Sequence, residues 1–161
     1  MKEKIIQKMI DFYDGNTHDV AHFMKVYAYA ETIGLSEHLD EKTQQTLEYA
    51  AIVHDIACPI CRKKYGNTNG KHQEEESGAL LREFLKEFLL DEDLQERIIY
   101  LVCHHHTYTD VDGLDYRILL EADFLVNADE SQYTKEAILK FKKNVFQTSC
   151  GIHILNSLYQ L

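Results

Sequence analysis

Residues that interrupt helices or define other structural classes are scarce in this chain of 161 residues. The sequence has no tryptophan, one proline (Pro59) and only seven glycines, so it offers few points at which a helix must end. No apolar run approaches the ~20 residues that a transmembrane helix needs, and the alternation of valine, isoleucine and threonine typical of strands is nearly absent. These absences argue against a membrane protein and against a sheet-based fold.

Cysteine is too sparse to define a disulfide framework, since only four are present. Cys58 and Cys61 form a C-x-x-C pair, but no second pair follows at the spacing of a zinc ribbon and no thioredoxin-like strand precedes them. The amphipathic N-terminal segment also lacks a secretory pattern. We therefore expect free thiols and a cytoplasmic protein.

Basic residues are in deficit, because 17 lysines and arginines stand against 27 aspartates and glutamates, which gives a formal net charge of −10. This charge disfavours attraction to polymeric nucleic acid, and we expect neither nucleic acid nor a membrane as a partner. A site for an anionic ligand must therefore supply its own positive charge, which a bound divalent cation can do.

Apolar residues at helical spacing are what the sequence has in abundance, since hydrophobic residues make up 45% of it. Their pattern predicts an all-α, single-domain helical bundle of about six to seven helices. Asn16 or Thr17 is expected to cap the second helix, and Asp40 the third, which should end near His54. Residues 57–71 are expected to form the main loop, since they contain the proline and two glycines.

His54 and Asp55 are the most informative residues, because they follow the apolar run Tyr49–Val53, where a helix should finish its burial. Neighbouring side chains on a helix point about 100° apart, so one metal ion can use both only near a helix end or a distortion. An isolated His-Asp pair means little, but here further histidines and an aspartate in an apolar segment accompany it.

Two side chains far from this pair have the same chemistry. His22 lies on the apolar stripe of the second predicted helix, where a histidine taken alone is more often a core residue than a ligand. Asp123 lies within the apolar segment Leu119–Leu125 and must pair or bind a cation if it is buried. Two histidines and two aspartates on three helices of a bundle can converge on a divalent metal, and this mixture suits Fe, Mn, Zn, Co or Ni better than Mg or Ca alone.

The order and spacing of these elements resemble the HD-domain metal-dependent phosphohydrolase superfamily, in particular its small stand-alone bacterial members. The elements that carry the resemblance are His22 with Val26, Ala30 and Ile33, then Ala50–Ile56, and finally Ala122–Asp123. The resemblance covers about residues 17–130, and it implies a single HD domain over residues 1–161 with flanking helices at 1–16 and 131–161. The implied fold is the helical bundle of cyclic-nucleotide phosphodiesterases.

By this resemblance, the first metal is bound by His22, His54, Asp55 and Asp123. His18 lies one turn before His22 on the same helix face, so it is the rival for the first ligand and is otherwise expected in an outer role. The implied cofactor is one or two divalent transition metals, namely Fe, Mn, Co, Ni or Zn, and Mg is also compatible.

Some related proteins hold a second metal through further histidines, with the residue equivalent to Asp55 as the bridge. His72 and two residues of the triplet His104, His105 and His106 stand where those ligands would be. The register is open, because His104 with His105 and His105 with His106 both fit. The other interpretation of the triplet is a polar helix C-terminus, where histidines suit the helix dipole.

The resemblance further implies hydrolysis of a small phosphoester, such as a nucleotide or dinucleotide, by a metal-activated water. Asp55 is expected to be catalytic as the metal bridge, and His72 or His106 is expected to protonate the leaving alkoxide. Phosphate contacts are expected from basic side chains around the main loop, which in the alternative interpretation are simply solvated. These are Lys63, Lys64 and Lys71, with Arg62 and Arg117 as weaker candidates.

Two other classes of function share these sequence features. The same ligand set can hold the di-iron centre of an HD-type oxygenase, or the chain can be a metal-binding regulatory domain without turnover. Iron content and oxygen-dependent turnover would separate the oxygenase from the hydrolase. The sequence leaves the oligomeric state open, a homodimer included.

Overall fold

The computed structural model describes all 161 residues, and it contains nine α-helices, one short 3₁₀ helix and no strand. The α-helices are α1 (Lys2–Phe12), α2 (Thr17–Ser36), α3 (Glu41–Val53), α4 (Cys58–Tyr65), α5 (Gly70–Leu85), α6 (Glu92–His104), α7 (Leu114–Glu130), α8 (Lys135–Asn144) and α9 (Ser149–Tyr159). The 3₁₀ helix Lys86–Phe88 directly follows α5. The all-α prediction is confirmed, although the bundle has more helices than the six to seven expected.

Short polar side chains begin the two helices that lead into the candidate site. The Asn16 side chain accepts a hydrogen bond from the backbone N–H of Asp19 at 3.0 Å, and Asp40 accepts one from Thr43 at 2.9 Å. These bonds satisfy backbone donors that have no partner within the first turn of a helix. Of the two caps proposed for the second helix, the structure therefore uses Asn16.

The segment 57–71 is not the single long loop that its proline and glycines predict. Cys58–Tyr65 forms α4, and α5 already begins at Gly70. Pro59 lies in the first turn of α4, where a missing N–H costs no helical hydrogen bond. Gly66 ends α4 with a φ of +71°, and its N–H bonds the Arg62 carbonyl oxygen at 3.0 Å. The residues interpreted as loop signals are instead the two boundaries of a short helix.

The hydrophobic core is centred on α2, α3 and α7, because α2 packs against both other helices. Helix α6 packs against α3 and α5 packs against α6, and α1 also packs on α3. Fully buried apolar side chains from these helices include Ile33, Ile52, Ile98 and Leu119. This arrangement places the first part of α2, the end of α3 and the middle of α7 side by side. None of the helices is both long and apolar enough to cross a membrane.

Candidate metal centre

The His54-Asp55 pair lies where α3 gives way to a turn. The helix ends at Val53, and residues 54–57 form a turn before α4 begins. The Asp55 carbonyl oxygen accepts hydrogen bonds from the Cys58 N–H at 2.9 Å and from the Tyr13 hydroxyl at 3.0 Å, which fix this turn. Outside the regular helix, the two neighbouring side chains reach the same group of acceptors.

The structure brings together all four side chains expected at a first metal. His22 Nε2 lies 3.3 Å from His54 Nε2, 3.2 Å from Asp55 Oδ2 and 3.3 Å from Asp123 Oδ1. His54 Nε2 lies 3.3 Å from the same two carboxylate oxygens. The ligating atoms of α2, the turn after α3 and α7 therefore form one compact cluster, which is compatible with a divalent metal.

The chemistry of the cluster fits a cation, because it is composed of acceptors. His22 Nδ1 is hydrogen-bonded to the Glu130 carboxylate, and His54 Nδ1 donates to the Ala51 carbonyl oxygen at 2.7 Å. Since a carboxylate and a carbonyl oxygen can only accept, each Nδ1 carries a proton, and each ring in its neutral form presents a lone pair at Nε2. Asp123 Oδ1 is buried and has no hydrogen-bond donor. Lone pairs at this spacing need positive charge between them.

In the metal-free protein, protons supply that positive charge. Burial opposes protonation of His22, but the carboxylates of Asp123 and Asp55 outweigh it and raise the pKa of His22 to about 11. For His54, burial again opposes protonation, but Asp55 and Asp123 outweigh it and raise the pKa to about 10. Burial alone would raise the pKa of both aspartates, yet the neighbouring histidines lower both. The aspartates thus stay ionised, and protons and metal compete for the same site.

A second group of acceptors adjoins the first and shares two residues with it. It consists of His54, Asp55 and His105. His105 Nδ1 donates to the Val102 carbonyl oxygen at 2.7 Å, so the lone pair of its buried, unpartnered Nε2 faces Asp55 Oδ1 at 3.4 Å. Because Oδ2 of Asp55 faces the first cluster, its two oxygens point at separate groups, as a bridging carboxylate requires.

The three histidines of the triplet have different surroundings. His105 is the member that faces Asp55, whereas His106 lines the neighbouring pocket and has an unpartnered, buried Nε2. Burial and the adjacent His105 lower the pKa of His106 to about 4, so its ring is neutral at pH 7. His104 is turned away, with Nδ1 bonded to the Tyr100 carbonyl oxygen at 2.7 Å and its ring stacked on Tyr100. The geometry thus favours the register His105–His106.

His72 is not brought to either group of acceptors. Its ring stacks on Tyr65 with centroids 3.8 Å apart, and its Nδ1 lies 3.1 Å from Asn67 Oδ1. The adjacent residue, Gln73, faces the pocket instead. Since neighbours on a helix point about 100° apart, the rotation of α5 that directs Gln73 inward directs His72 away from the site.

An open polar pocket of about 320 Å³ covers the first group of acceptors. Its floor includes His22, Asp55 and Asp123, and its wall includes Arg62, whose guanidinium makes two hydrogen bonds to Asp19 at 2.6 and 3.0 Å. His18 also lines the pocket, in keeping with the outer role expected of it.

The three lysines expected at the phosphate lie outside this pocket; they are Lys63, Lys64 and Lys71. All three are exposed, and Lys64 pairs with Glu76 at 2.7 Å. Arg117 also lies elsewhere, donating to the Val145 carbonyl oxygen at 2.8 Å. Among the basic residues expected there, the structure places Arg62 in the pocket because α4, formed where a loop was predicted, holds it over Asp19.

Sequence reasoning missed Glu130, although a usable signal was present. Glu130 follows Asp123 by seven residues, which is two turns of α7 on the same face. An acidic residue on the ligand face of a helix is a natural partner for the Nδ1 of a histidine ligand. Gln73 was missed as well, because a glutamine among the polar residues at the start of a helix gives no comparable sign of a role in a binding site.

The fold and the site together define a class: an all-α bundle with a cluster of histidines and aspartates where three helices meet. The sequence matches the HD domain family over residues 19–141, and the chain belongs to that family. The fold is similar to that of a predicted HD superfamily hydrolase from an uncultured Thermotogales bacterium, with a TM-score of 0.70. The two chains are 22% identical, and the match covers 98% of this chain and 84% of that one. No curated protein matches the chain.

Proposed function

We propose that this protein is a metal-dependent hydrolase of small phosphoesters, with a nucleotide or dinucleotide as its substrate. The observation that carries the proposal is the convergence of four acceptor side chains, three of which line a polar pocket that also presents an arginine. In this proposal His22, His54, Asp55 and Asp123 hold the first divalent metal, and His105 joins Asp55 toward a second. Fe, Mn, Co, Ni and Zn suit such mixed nitrogen and oxygen ligands.

A bound divalent cation would polarise the phosphoryl oxygens and lower the pKa of a water molecule at the site. The side chains around it position the substrate and exclude competing geometries. Asp55 and Asp123 remain ionised in the pocket floor, since the histidines beside them lower the pKa of both. Their negative charge determines where a cation can bind, and the anionic phosphoryl group must lie beside that cation.

Arg62 is the residue that we assign to the phosphate, in place of the three lysines. The two hydrogen bonds that it donates to Asp19 hold the guanidinium plane at the pocket wall and leave its other donors available. A planar guanidinium with several donors matches the oxygens of a phosphoryl group better than a mobile lysine does. The overall charge of −10 makes such a local cation more important for an anionic substrate.

His106 is assigned to a hydrogen bond with the substrate or the reacting water. Its Nε2 is buried, lacks a partner and belongs to the pocket lining, so a ligand in the pocket can supply the partner that the protein does not. The role of His72 as a proton donor receives no support from its position against Tyr65. Of the two histidines expected to be catalytic, the geometry favours His106.

The remaining pocket surface supports a nucleoside rather than a bare phosphate. Tyr133 lies at the rim with 43% of its surface exposed, and Asn127 and Ser131 add polar groups nearby. An aromatic ring beside amide and hydroxyl groups can stack on a base and hydrogen-bond its edge or the sugar. The pocket volume of about 320 Å³ suits a small ligand. We also retain the cytoplasmic location as part of the proposal, which the four free thiols support.

The test is a turnover assay of purified protein loaded with Mn²⁺, Co²⁺, Ni²⁺ or Mg²⁺ against nucleoside monophosphates, dinucleoside polyphosphates and cyclic nucleotides. We expect release of phosphate or a nucleotide product by the wild type and its loss in Asp55→Asn. Replacing Arg62 with alanine should raise KM at least about tenfold, since hydrogen bonds to charged groups contribute about 1.5–3 kcal/mol. Arg82→Ala is the matched control, because Arg82 is exposed and pairs with Glu96 away from the pocket.

An oxygen electrode in the same assay distinguishes the di-iron oxygenase. Turnover that requires iron and consumes oxygen would replace the hydrolase assignment, whereas metal binding without turnover of any compound would favour the regulatory domain. Hydrolysis that proceeds equally well without oxygen is the result that the proposal expects.

A further inference from the structure

The side chain that α5 contributes to the pocket is Gln73, and its surroundings are unusual for a glutamine. Gln73 is only 4% exposed and lines the pocket together with Asp55 and His106. Its Oε1 is buried and has no hydrogen-bond donor. A buried amide oxygen without a donor is destabilising unless a ligand, an ion or an ordered water supplies the missing partner.

The orientation of this amide is fixed by the protein. Nε2 of Gln73 donates to the Thr68 carbonyl oxygen at 2.7 Å. Rotating the amide by half a turn would place Oε1 against that carbonyl oxygen, and two acceptors would then face each other. The structure therefore holds Oε1 as the free end of the side chain, and that end can bind only a donor or a cation.

The first turn of α5 packs against the end of α6, where His105 of the second group of acceptors lies. A Cβ added at Gly70 would lie 2.7 Å from the Cβ of His106, so the two backbones approach closely there. Gln73 lies one turn after Gly70 on α5. Gln73 thus approaches the end of α6, where His105 Nε2 and His106 Nε2 are also buried without a hydrogen-bond partner. Gln73 Oε1 and His105 Nε2 are thus two unpartnered acceptors on helices that meet next to Asp55, and they indicate a place for positive charge.

We propose that Gln73, and not His72, is the α5 ligand of a second cation held beside Asp55 and His105, and that its amide oxygen makes this second position prefer Mn²⁺ or Mg²⁺. The inference rests on the metal centre of the proposed function. Carbonyl and carboxylate oxygens suit Mg²⁺ and Mn²⁺, whereas imidazole suits Zn²⁺, Fe and Ni²⁺. With His54 assigned to the first position, that position has two imidazoles and the second has one, so the two positions differ in the metal that they favour.

The test is Mn²⁺ binding by the intact protein, measured by isothermal titration calorimetry and by elemental analysis after gel filtration. We expect two Mn²⁺ ions per wild-type chain. Gln73→Leu should weaken the second ion at least about tenfold and leave the first in place. Gln73→Glu should retain both, because it keeps an oxygen ligand while losing the N–H that binds Thr68. His72→Ala should also retain both.

The Leu and Glu variants together separate a ligand from a structural role. If Gln73 only holds the Thr68 carbonyl oxygen, both variants lose the second ion equally, and the inference is overturned. One Mn²⁺ in the wild type, two in Gln73→Leu, or a lost ion in His72→Ala would overturn it too. Should Gln73→Leu fail to fold, Gln73→His carries the test, because an imidazole at this position should shift the second site from Mn²⁺ toward Zn²⁺.

Failure of this inference and failure of the proposed function have different signatures. Metal stoichiometry decides the role of Gln73 whether or not any phosphoester is hydrolysed. A protein that binds two Mn²⁺ ions but hydrolyses nothing in the panel contradicts the function alone. A protein that hydrolyses nucleotides with a single bound metal contradicts the second site alone.

Discussion

At the scale of single residues, the candidate metal centre depends on the hydrogen bonds that its histidines make on the side away from the cluster. His22, His54 and His105 each have Nδ1 bonded to an acceptor, namely the Glu130 carboxylate or a main-chain carbonyl oxygen. These bonds fix the tautomer and the ring orientation before a metal arrives. Only the bond to Glu130 involves a side chain, and it can therefore be removed by substitution.

Replacing Glu130 with alanine should weaken metal binding by roughly 10–100-fold, because the His22 ring loses the acceptor that orients it. Isothermal titration calorimetry with Co²⁺ or Zn²⁺ measures the change. Lys25→Ala is the control, since it removes the other partner of Glu130, at 3.1 Å, and leaves His22 in place. Equal affinities for the wild type and Glu130→Ala would show that the contact does not orient the ligand.

Metal affinity should fall as the pH falls, with protons released on binding. In the metal-free protein the pKa of His22 is raised to about 11 and that of His54 to about 10, so both rings hold protons at neutral pH. Ligation requires the neutral rings, and each proton must leave before or as the metal binds. Titrations in buffers of different ionisation enthalpy count the protons. An affinity that is constant between about pH 6 and pH 9 would contradict this competition.

At the scale of helices, a buried carboxylate of α7 organises the connection between α8 and α9. Glu121 accepts hydrogen bonds from the N–H groups of Gln147 and Thr148, at 2.9 and 3.1 Å, and from the Thr148 hydroxyl. The Thr148 hydroxyl oxygen in turn accepts from the Gly151 N–H at 2.9 Å and caps α9. This network requires α9 to approach α7 closely, and a residue without a side chain stands at that point.

Gly151→Ala should destabilise the protein by about 1–3 kcal/mol, as overpacking of a well-filled site does. A Cβ there would overlap the Glu121 carboxylate and lie 2.7 Å from Thr148 Oγ1. Gly78→Ala in α5 should instead stabilise the protein by roughly 0.5–1 kcal/mol, because alanine favours a helix interior. Its Cβ would meet only Cys103 Sγ at 3.8 Å. Urea unfolding compares the two variants, and an unchanged midpoint for Gly151→Ala would refute the close-packing argument.

The helices were predictable where a local signal decides them. Asn16 and Asp40 could be recognised as caps because a short polar side chain before an apolar pattern is a local property. The helix α4 could not be separated from a loop, since Pro59 and Gly66 are equally common in loops and at helix boundaries. Which of two neighbours on α5 faces the pocket depends on the rotation of that helix, which tertiary packing sets.

At the scale of the whole molecule, the fold explains why distant residues could be assigned to one site and others could not. His22 and Asp123 lie on apolar stripes that the core must bury, and the His54-Asp55 pair directly follows such a stripe. Their convergence therefore follows from the packing of α2, α3 and α7. Which histidines of the triplet face the site depends on where α6 ends. The position of Arg62 in the pocket depends on α4, which the sequence did not predict. Neither is encoded in a local pattern of hydrophobic residues.

The central claim is that this cluster of two histidines and two aspartates binds a catalytic divalent metal. Elemental analysis of the wild type and Asp55→Ala, purified side by side without added metal and compared after exposure to Mn²⁺, Co²⁺ and Zn²⁺, tests it most directly. The account predicts about one to two transition-metal ions per wild-type chain and their loss from a folded Asp55→Ala protein. A wild type that binds none of these metals, or an Asp55→Ala variant that keeps both the metal and full activity, would contradict it.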